Sequence, residues 1–430
     1  MRISHGDSLS HNPHGLRVHS GSCAPAAHKL PGLARLLKWA ISGTGVLCAS
    51  LLLAGCSTTT AVRGSGDLGV VIERASGSVQ LVDNTRSERF ATVTGLGDLS
   101  HASVVFSRDA RYAYVFGRDG GLSKVDILTG RLVKRVMQAG NSIGGAISSD
   151  GRVVAAQNYE PGGVKLFDAD TLELLAEVST RDAASGHSSK VVGLADLPGQ
   201  RFAFSLFEAG EIWVIDVADP RHPVTTRYPN VGRQPYDGLA SQDGRYYLAG
   251  LFGEDGLALL DTWHPEAGVR RVLDGYGRGT EKLPVYKMPH LRGWALSGGQ
   301  AFLPAIGHNE VLVADTRDWQ LRAKVPVHGQ PVFVMAEPSG RRVWVNFAFP
   351  HNDTVQVIDV PTLTVVKTLK PGRGILHMEF TPRGDEVWLS SRDDDKLVIV
   401  DTATLAVRRE LPAASPSGIF FSWRASRIGM

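Results

Sequence analysis

Residues 107–130 read SRDARYAYVFGRDGGLSKVDILTG. A polar turn leads into alternating aromatic and aliphatic residues, a second turn (GRDGG) follows, and an apolar run then ends in an aspartate before a third turn. This pattern is typical of antiparallel strands joined by tight turns. The phrase of an apolar run, an aspartate and a turn occurs eight times, at Asp83, Asp126, Asp168, Asp216, Asp261, Asp315, Asp359 and Asp401.

The spacing of these aspartates indicates the fold. Successive aspartates are 43, 42, 48, 45, 54, 44 and 42 residues apart. A period in the forties, with strand patterning inside each unit, is typical of a β-propeller with one blade per repeat. The sequence therefore predicts an all-β, eight-bladed β-propeller over residues 67–430, in which each aspartate caps the turn after its strand.

The closing blade is predicted to be mixed, with strands from both ends of the propeller. After Asp401 the chain has room for one or two more strands, including SGIFFSW at 417–423. The segments DLGVVIE at 67–73 and GSVQLVD at 77–83 would supply the others. Such mixing closes the ring and removes two free sheet edges.

The first 66 residues differ from the repeats. Two basic residues precede an apolar run over 39–53, and LLLAGC then ends at Cys56. This ending resembles a bacterial lipobox, which predicts a cleaved signal over 1–55, lipidation of Cys56 and a flexible tether over 56–66. An uncleaved membrane helix is the alternative, although the run is short of the roughly 20 residues that a span needs. We expect a periplasmic, lipid-anchored protein, and the absence of aspartate after Cys56 favours the outer membrane.

Composition argues against several functions. Residues 1–55 hold five basic residues and one acidic residue, so their removal changes the formal net charge from +3 to −1 and argues against nucleic-acid binding. Cys23 and Cys48 leave with the signal and Cys56 is acylated, so no disulfide is expected. The sequence has no Cys-x-x-Cys-His haem attachment motif and no Gly-x-Ser-x-Gly, Walker loop or His-Glu-x-x-His motif.

The segments just before the innermost strands are predicted to face the central opening of the propeller. Three of them carry a histidine four to seven residues before the next turn, at His101, His290 and His377. Imidazole at such corresponding places would ligate a metal, transfer a proton or bond a carboxylate, whereas the alternative is a solvated side chain. Basic residues also lie near these segments, at Arg118, Arg233, Lys287, Arg292 and Arg373. Their cations would suit an anionic ligand, and the alternative is ordinary surface charge.

Residues 97–130, GDLSHASVVFSRDARYAYVFGRDGGLSKVDILTG, show a resemblance to a known family. This stretch resembles the haem-d1-binding propeller of cytochrome cd1 nitrite reductase, where a histidine heads the same strand and a serine-rich turn and a GRD hairpin follow. The likeness continues through 167–181 and 383–405. Among relatives of this propeller, the chain is most similar to the haem d1 biosynthesis proteins of denitrifying bacteria, which have no cytochrome c domain.

The resemblance implies a set of site residues. His101 matches the proximal iron ligand, and Arg118 matches a carboxylate-binding arginine of the GRD hairpin. His377 falls where the family has a glutamine near the macrocycle, and it joins His290 as a candidate for proton transfer or a second axial contact. The other residues that are expected to contact the cofactor are Tyr236, Arg292, Phe349, Gly418 and Phe420.

The departures from the reductase bear on activity. At the positions of its two distal histidines this chain has Phe207 or Glu208, and Tyr236. Without these histidines or a c-type haem, we expect no nitrite reduction. We expect instead a protein that binds haem d1 or dihydro-haem d1, an iron tetrapyrrole, and passes it to nitrite reductase or another maturation protein. The alternatives are a dihydro-haem d1 dehydrogenase-type enzyme that acts on a side chain, and a propeller scaffold without a prosthetic group.

Overall fold

The computed structural model divides into two units, Met1–Thr60 and Ala61–Met430. The structure describes residues 63–182, 185–275, 294–305 and 308–427. The predictions for Cys56, Lys287, His290 and Arg292 therefore lie outside the described residues. Among the helices that are described, none has the length and hydrophobicity needed to cross a membrane.

The second unit contains 32 described strands. Three strands begin it: β1 (Leu68–Glu73), β2 (Ser78–Asp83) and β3 (Glu88–Val93). Seven groups of four then follow: β4 (Ser103–Phe106), β5 (Tyr112–Phe116), β6 (Gly121–Asp126), β7 (Arg131–Met137); β8 (Asn141–Ile147), β9 (Val153–Glu160), β10 (Val164–Asp168), β11 (Leu174–Val178); β12 (Val191–Leu197), β13 (Arg201–Leu206), β14 (Glu211–Asp216), β15 (Val224–Tyr228); β16 (Pro235–Ala240), β17 (Tyr246–Leu251), β18 (Leu257–Asp261), β19 (Val269–Val272); β20 (Ala295–Ser297), β21 (Gln300–Ala305), β22 (Glu310–Asp315), β23 (Leu321–Pro326); β24 (Pro331–Ala336), β25 (Arg342–Phe347), β26 (Val355–Asp359), β27 (Thr364–Leu369); β28 (Ile375–Phe380), β29 (Glu386–Ser391), β30 (Lys396–Asp401) and β31 (Ala406–Pro412). β32 (Pro416–Phe421) is the last strand. Short 3₁₀ helices cover Ser65–Asp67, Pro265–Ala267, Arg392–Asp394 and Ser422–Ser426.

The strands form eight antiparallel sheets of four, which confirms the predicted eight-bladed β-propeller. The first strands of neighbouring blades, such as β4 and β8 or β12 and β16, contact each other and therefore surround the axis. The third strands are largely buried because they lie between two neighbouring blades, and β6 is buried along its whole length. The fourth strands form the outer surface, and most residues of β31 are exposed.

The closing blade joins the two ends of the propeller, as predicted. Its strand order is β3-β2-β1-β32, so the C-terminal part of the chain supplies only the innermost strand. β32 pairs antiparallel with β1 and places Phe420 opposite Val70. The fully buried Phe421 packs edge-on against Trp388 of the preceding blade, with ring centroids 5.4 Å apart. Side-chain packing therefore closes the ring together with backbone pairing.

The eight repeated aspartates are structural, as predicted. Each is the last residue of the third strand of its blade, counted outward from the axis. The carboxylate of Asp126 accepts hydrogen bonds from the backbone N–H groups of Leu128 and Thr129, at 3.0 and 3.1 Å. The other seven carboxylates cap the following turn in the same way. They supply acceptors to amides that the turn leaves without backbone partners.

Alternating strand directions separate two faces of the propeller. The repeated aspartates lie where the third strands end, so their turns share one face with the turns between first and second strands. The segments that lead into the innermost strands, such as 94–102 and 370–374, lie on the opposite face. The turns between second and third strands, such as 117–120, lie there as well. We call this opposite face the mouth face.

Candidate functional site

A cavity lies on the propeller axis at the mouth face. The innermost strands β4, β8, β12, β16, β24, β28 and β32, or the residues just before them, all contribute to its walls. Its volume is about 180 Å³. His101, His377, Gly418 and Phe420 line it together. Residues from distant repeats therefore meet at one place.

β-Bulges turn much of this wall toward the axis. In β12, β16, β24, β28 and β32, the register of pairing shifts at the same place near the start of the strand. The residues left between the paired positions are 193–194, 236–237, 332–333, 376–377 and 417–418, and most of them line the cavity. A bulge bends its strand and redirects side chains, which explains why a two-residue periodicity did not predict this wall.

Buried side chains fix the shape of the bulges. The backbone N–H of His377 donates to Ser390 Oγ at 2.9 Å, and that of Phe333 donates to Asn346 Oδ1 at 2.9 Å. Ser390 and Asn346 are both buried on the second strand of the same blade. These two bulge amides thus gain a side-chain acceptor in place of a ladder partner, which holds Phe333 and His377 in position.

His101 lies in the segment that leads into β4. Asp98 organises this segment, since its Oδ1 accepts from Ser100 N–H at 2.8 Å and its carbonyl oxygen accepts from Arg118 N–H at 2.8 Å. The side chain of His101 is partly buried at the cavity wall. The GRD hairpin and the histidine segment are therefore joined by direct hydrogen bonds.

His377 lies between two aromatic rings. Its ring centroid is 5.5 Å from that of Phe333 and 5.4 Å from that of Phe420. Its Nδ1 is 3.3 Å from the backbone nitrogen of Ile419 and accepts that N–H. A neutral imidazole that accepts at Nδ1 carries its proton on Nε2, which makes Nε2 a hydrogen-bond donor.

His101 and His377 both line the axial cavity, as expected for the segments that face the central opening, but they reach it from different positions relative to the turn. Ser107 and Thr381 begin equivalent turns, because their N–H groups bond the carbonyls of Tyr112 and Glu386 in the same pattern. His377 is four residues before its turn, whereas His101 is six residues before its own. A bulge places one imidazole at the cavity and a loop places the other.

Arg74 is a cavity residue that the sequence did not single out. It lies in the turn between β1 and β2 and lines the cavity. Burial lowers the pKa of its guanidinium, the charge of Arg392 lowers it further and Asp98 opposes both. Hydrogen bonds from Ser100, with smaller contributions from Arg118 and Arg74, lower the pKa of the Asp98 carboxyl. An ionised carboxylate therefore stands beside two of the cations at the mouth.

Two of the predicted rim arginines have a structural role instead. The N–H and Nε of Arg373 both donate to Asp394, at 2.7 Å each. Arg233 bonds Glu254 in the same way, at 3.0 and 3.3 Å. In both cases an acid from the turn between the second and third strands ties down the segment that leads into an innermost strand. The expectation that these two arginines serve a ligand is not supported by this pairing.

Replacement of Asp394 by asparagine is expected to destabilise the protein by about 1 kcal/mol at neutral pH, the upper end for an exposed ion pair. Hydrogen bonds from Arg373 lower the pKa of the Asp394 carboxyl from 3.8 to about 2. Stabilisation from a depressed pKa is complete above the ordinary value and is lost as the pH falls through the folded value. The difference between wild type and Asp394→Asn should therefore shrink as the pH falls from 5 to 2, in urea unfolding curves.

Asp255→Asn provides the matched control. Asp255 lies in the corresponding turn of another blade, and its carboxylate bonds none of the described residues. We expect this variant to unfold like the wild type at every pH. A difference between Asp394→Asn and the wild type that does not change with pH would contradict the assigned ion pair.

Tyr236 belongs to an aromatic cluster on the mouth face. Its ring is 5.9 Å from that of Phe207 and 6.0 Å from that of Phe252, and its hydroxyl lies 2.9 Å from that of Tyr159. Burial raises the pKa of both tyrosines, so both hydroxyls stay protonated. Glu208 pairs with Lys190 beside this cluster. An aromatic and hydroxyl-bearing surface therefore occupies the positions matched to the distal histidines.

The residues predicted to line a ring ligand separate into two groups. Gly418 and Phe420 form part of the cavity wall, and a Cβ added to Gly418 would lie 2.4 Å from Phe420 Cε2. Only a glycine therefore fits there in this arrangement. Phe349 lies in the turn after β25, is 68% exposed and is not among the residues that line the cavity. Its part in binding stays a prediction.

The cavity has the chemistry that a tetrapyrrole with carboxylate arms requires. It offers imidazole, an aromatic face and guanidinium groups, together with wall positions at Gly144 and Gly193 that carry no side chain. Ser103 Oγ is buried in this wall and has no hydrogen-bond partner among the described residues. Within the same described part of the chain, no group of three or more His, Cys, Asp or Glu side chains could hold a bare metal ion. The site thus fits a planar, anionic ring better than a free ion.

Comparison with known proteins agrees with this geometry. Residues 63–425 match the family described as Cytochrome D1 heme domain. Protein NirF of Pseudomonas aeruginosa is 63% identical over 380 residues, which cover 88% of this chain and 97% of that protein. Protein NirF of Stutzerimonas stutzeri is 57% identical over 386 residues, which cover 90% and 98%. The solved structure of dihydro-heme d1 dehydrogenase NirN in complex with DHE has a TM-score of 0.74 at 26% identity, over 87% of this chain and 79% of that one.

The fold and the matched range define this protein as a d1-type propeller, and the chain belongs to the Cytochrome D1 heme domain family. The identity with two curated relatives over almost their whole lengths places it more narrowly. Within that family, the chain belongs to the NirF proteins.

Proposed function

We propose that this protein functions in haem d1 biosynthesis by binding a late haem d1 precursor in the axial cavity. The observation that carries the proposal is the convergence of His101, His377 and Phe420, from three different blades, on one cavity at the mouth face. Membership of the NirF family supports the biosynthetic role. The relation to a dehydrogenase solved with DHE supports a tetrapyrrole as the ligand.

Each part of such a ligand has a counterpart among the described residues. Haem proteins commonly hold iron through an axial imidazole, and His101 is the residue proposed for that contact. Phe333 and Phe420 offer apolar faces to the ring, and Arg74 and Arg118 offer cations to its carboxylates. When bound, the iron tetrapyrrole would supply the electron-transfer chemistry that the side chains alone do not have.

The size of the cavity indicates that only part of the ligand is enclosed. Its volume of about 180 Å³ is below the roughly 300–1,000 Å³ of typical ligand pockets. A tetrapyrrole would therefore extend from the cavity into the mouth, where Arg74 and Arg118 stand. A partly enclosed ligand suits a protein that later passes its cargo on, which supports handover to nitrite reductase or to another maturation protein.

His377 is the proposed hydrogen-bond donor to the bound ligand. Ile419 N–H occupies Nδ1, so the proton of the neutral ring resides on Nε2. Phe333 and Phe420 hold the ring orientation. A fixed donor at this position would orient a polar substituent of the precursor or pass it a proton.

The direct test is a spectroscopic titration of the purified protein with haem d1 and with dihydro-haem d1. Binding through an axial imidazole should shift the Soret band at micromolar ligand. If neither compound changes its spectrum, the proposed function is wrong and a scaffold without prosthetic group is favoured.

The cations at the mouth can be separated by substitution. Arg74→Gln and Arg118→Gln should each weaken haem d1 binding about tenfold, since each removes a charge-assisted contact to a carboxylate. Arg233→Gln and Arg373→Gln are matched controls, because their side chains pair with Glu254 and Asp394. We expect the controls to bind within about twofold of the wild type in the same titration. Equal losses in all four variants would indicate a general electrostatic effect and not two specific contacts.

A second candidate function is oxidation of the bound dihydro-haem d1. The resemblance to a structure named dihydro-heme d1 dehydrogenase favours it. If the spectrum of bound dihydro-haem d1 changes to that of haem d1 when an external electron acceptor is added, the protein is an enzyme. If the spectrum stays constant over hours, the protein carries its ligand without converting it.

We also propose that the protein is a periplasmic lipoprotein with an acylated Cys56. The support is the LLLAGC ending of the N-terminal apolar run. Mass spectrometry of the membrane fraction should find a chain that begins at Cys56 and carries two or three acyl groups. An intact N-terminus or an unmodified cysteine would contradict the anchor and leave the ligand proposal unaffected.

A further inference from the structure

The face opposite the mouth is closed by the C-terminal segment. Residues Ser422–Ser426 follow β32 in a short 3₁₀ helix that contacts β1 and β4. Arg108 holds this segment, since its Nη1 donates to the carbonyls of Ala425 and Arg427, at 3.0 Å each, and its Nη2 donates to Asp196 at 2.8 Å. The axial cavity therefore has a floor as well as a mouth.

Arg424 of this segment reaches from the floor into the cavity wall. Its side chain is only 5% exposed, and the Glu379 side chain opposite is fully buried. Arg424 Nε donates to Glu379 Oε1 at 2.8 Å, and Nη2 donates to Oε2 of the same carboxylate. The guanidinium carbon also lies 5.3 Å from the centroid of the Phe420 ring. The guanidinium is therefore fixed in one orientation.

The bidentate contact leaves Arg424 Nη1 for another partner. None of the described residues accepts a hydrogen bond from Nη1, and this nitrogen is not among the fully enclosed atoms without a partner. It therefore retains accessible N–H donors on a residue that lines the cavity. A buried ion pair of this kind is seldom needed for stability, because apolar residues of similar volume serve equally well.

The charges around the floor favour an anion. Arg108, Arg424 and Arg427 accompany two buried carboxylates, those of Glu379 and Asp196. Among the described residues that line the cavity, Asp237 is the one acid, while Arg74 and Arg424 are both cationic. The floor therefore has three arginines and two carboxylates, and the cavity lining has two arginines and one carboxylate. In each group the arginines outnumber the carboxylates by one.

We propose that Arg424 is a binding residue that takes a carboxylate at the closed end of the cavity through Nη1, with Glu379 as its positioning residue. This inference rests on the proposed function, because the carboxylate would come from an arm of the tetrapyrrole. The alternative source of the same chemistry is a free carboxylate from solution. Planar guanidinium suits a carboxylate in either case.

The test is a titration of haem d1 and of its carboxylate methyl esters into three proteins: the wild type, Arg424→Lys, and the double variant Glu379→Gln/Arg424→Gln. The double variant removes both charges together, so no unpaired carboxylate is left buried. Arg424→Lys keeps the charge that pairs with Glu379 but lacks the forked geometry. We expect about tenfold weaker haem d1 binding by both variants. Arg245→Gln/Asp261→Asn alters an ion pair on the same face that neither lines the cavity nor holds the segment with Arg424, and it should bind like the wild type.

The esters identify the source of the carboxylate. If Arg424 binds a ligand arm, esterification should weaken binding to the wild type about tenfold more than binding to the double variant, which loses only the contacts to Arg74 and Arg118. If the carboxylate is free, esterification weakens binding to the wild type and to the double variant by the same factor, and added acetate changes the affinity of the wild type but not that of the double variant. Equal affinities of wild type and both variants for haem d1 and its esters would overturn the inference. Failure of the wild type to bind haem d1 would overturn the proposed function and this inference together.

Discussion

His101→Ala is expected to bind haem d1 about 100-fold more weakly than the wild type. The Soret band of haem d1 bound to this variant should lie where it lies for haem d1 that has no imidazole ligand. Loss of groups that merely support a metal ligand typically costs 10–100-fold in affinity, so loss of the ligand itself should reach the upper end of that range. The segment around His101 is held by Asp98 through Ser100 and Arg118, and these bonds do not involve the imidazole. The fold should therefore survive the substitution.

His222→Ala is the matched control for this effect. The His222 side chain is 83% exposed and bonds Asp219 at 2.9 Å, in the turn that follows a repeated aspartate and thus away from the mouth face. We expect its spectrum and affinity to equal those of the wild type. Addition of free imidazole should restore part of the wild-type spectrum to His101→Ala, and it should not change the spectrum of His222→Ala. An unchanged Soret band in His101→Ala would assign the axial contact to another residue.

Phe421→Ala is expected to destabilise the propeller by about 3–5 kcal/mol, the usual range when a buried aromatic residue is truncated to alanine. Phe421 is fully buried at the end of β32 and packs against Trp388 of the preceding blade. A Cβ at Gly69 would lie 2.4 Å from its ring, which shows how tightly β1 approaches. The cavity left by the substitution would lie at the junction where the ring closes. Urea unfolding followed by tryptophan fluorescence would measure the change.

Phe349→Ala separates burial from aromatic character. Phe349 is 68% exposed, so its removal should change the free energy of unfolding by less than about 0.5 kcal/mol. Similar losses in the two variants would mean that the junction between the last two blades does not limit stability. The same Phe349 variant, titrated with haem d1, tests whether this side chain contacts the ligand.

The fold could be predicted because the repeat is a local property. Each of the eight aspartates caps a turn within three residues of itself, so its signal survives in the sequence without knowledge of distant contacts. The strand that ends at each aspartate is largely buried between neighbouring blades, and its sequence is therefore a run of mostly apolar residues. Blade number, the order of strands and the mixed closing blade follow from counting such units.

The site could be predicted only in part. His101 and Arg118 were predicted because a continuous stretch, 97–130, carries both of them, and the structure places His101 in the cavity wall. Arg74 and Arg424 also line the cavity but were not predicted, because one lies in an ordinary turn and the other follows the last strand. No short pattern distinguishes them from surface arginines such as Arg373, whose pairing with Asp394 also depends on two separate loops.

What the sequence alone determined is the periodic part of the molecule: eight blades, their caps and the face on which a ligand would be sought. The tertiary structure decided which side chains reach the axis, because β-bulges in the innermost strands redirect residues such as Phe333 and His377 out of the regular alternation. It also decided which charges remain for a ligand. A cation is available only if its pairing with distant acids leaves N–H donors for a ligand, and that depends on the tertiary contacts of the chain and not on the adjacent residues in the sequence.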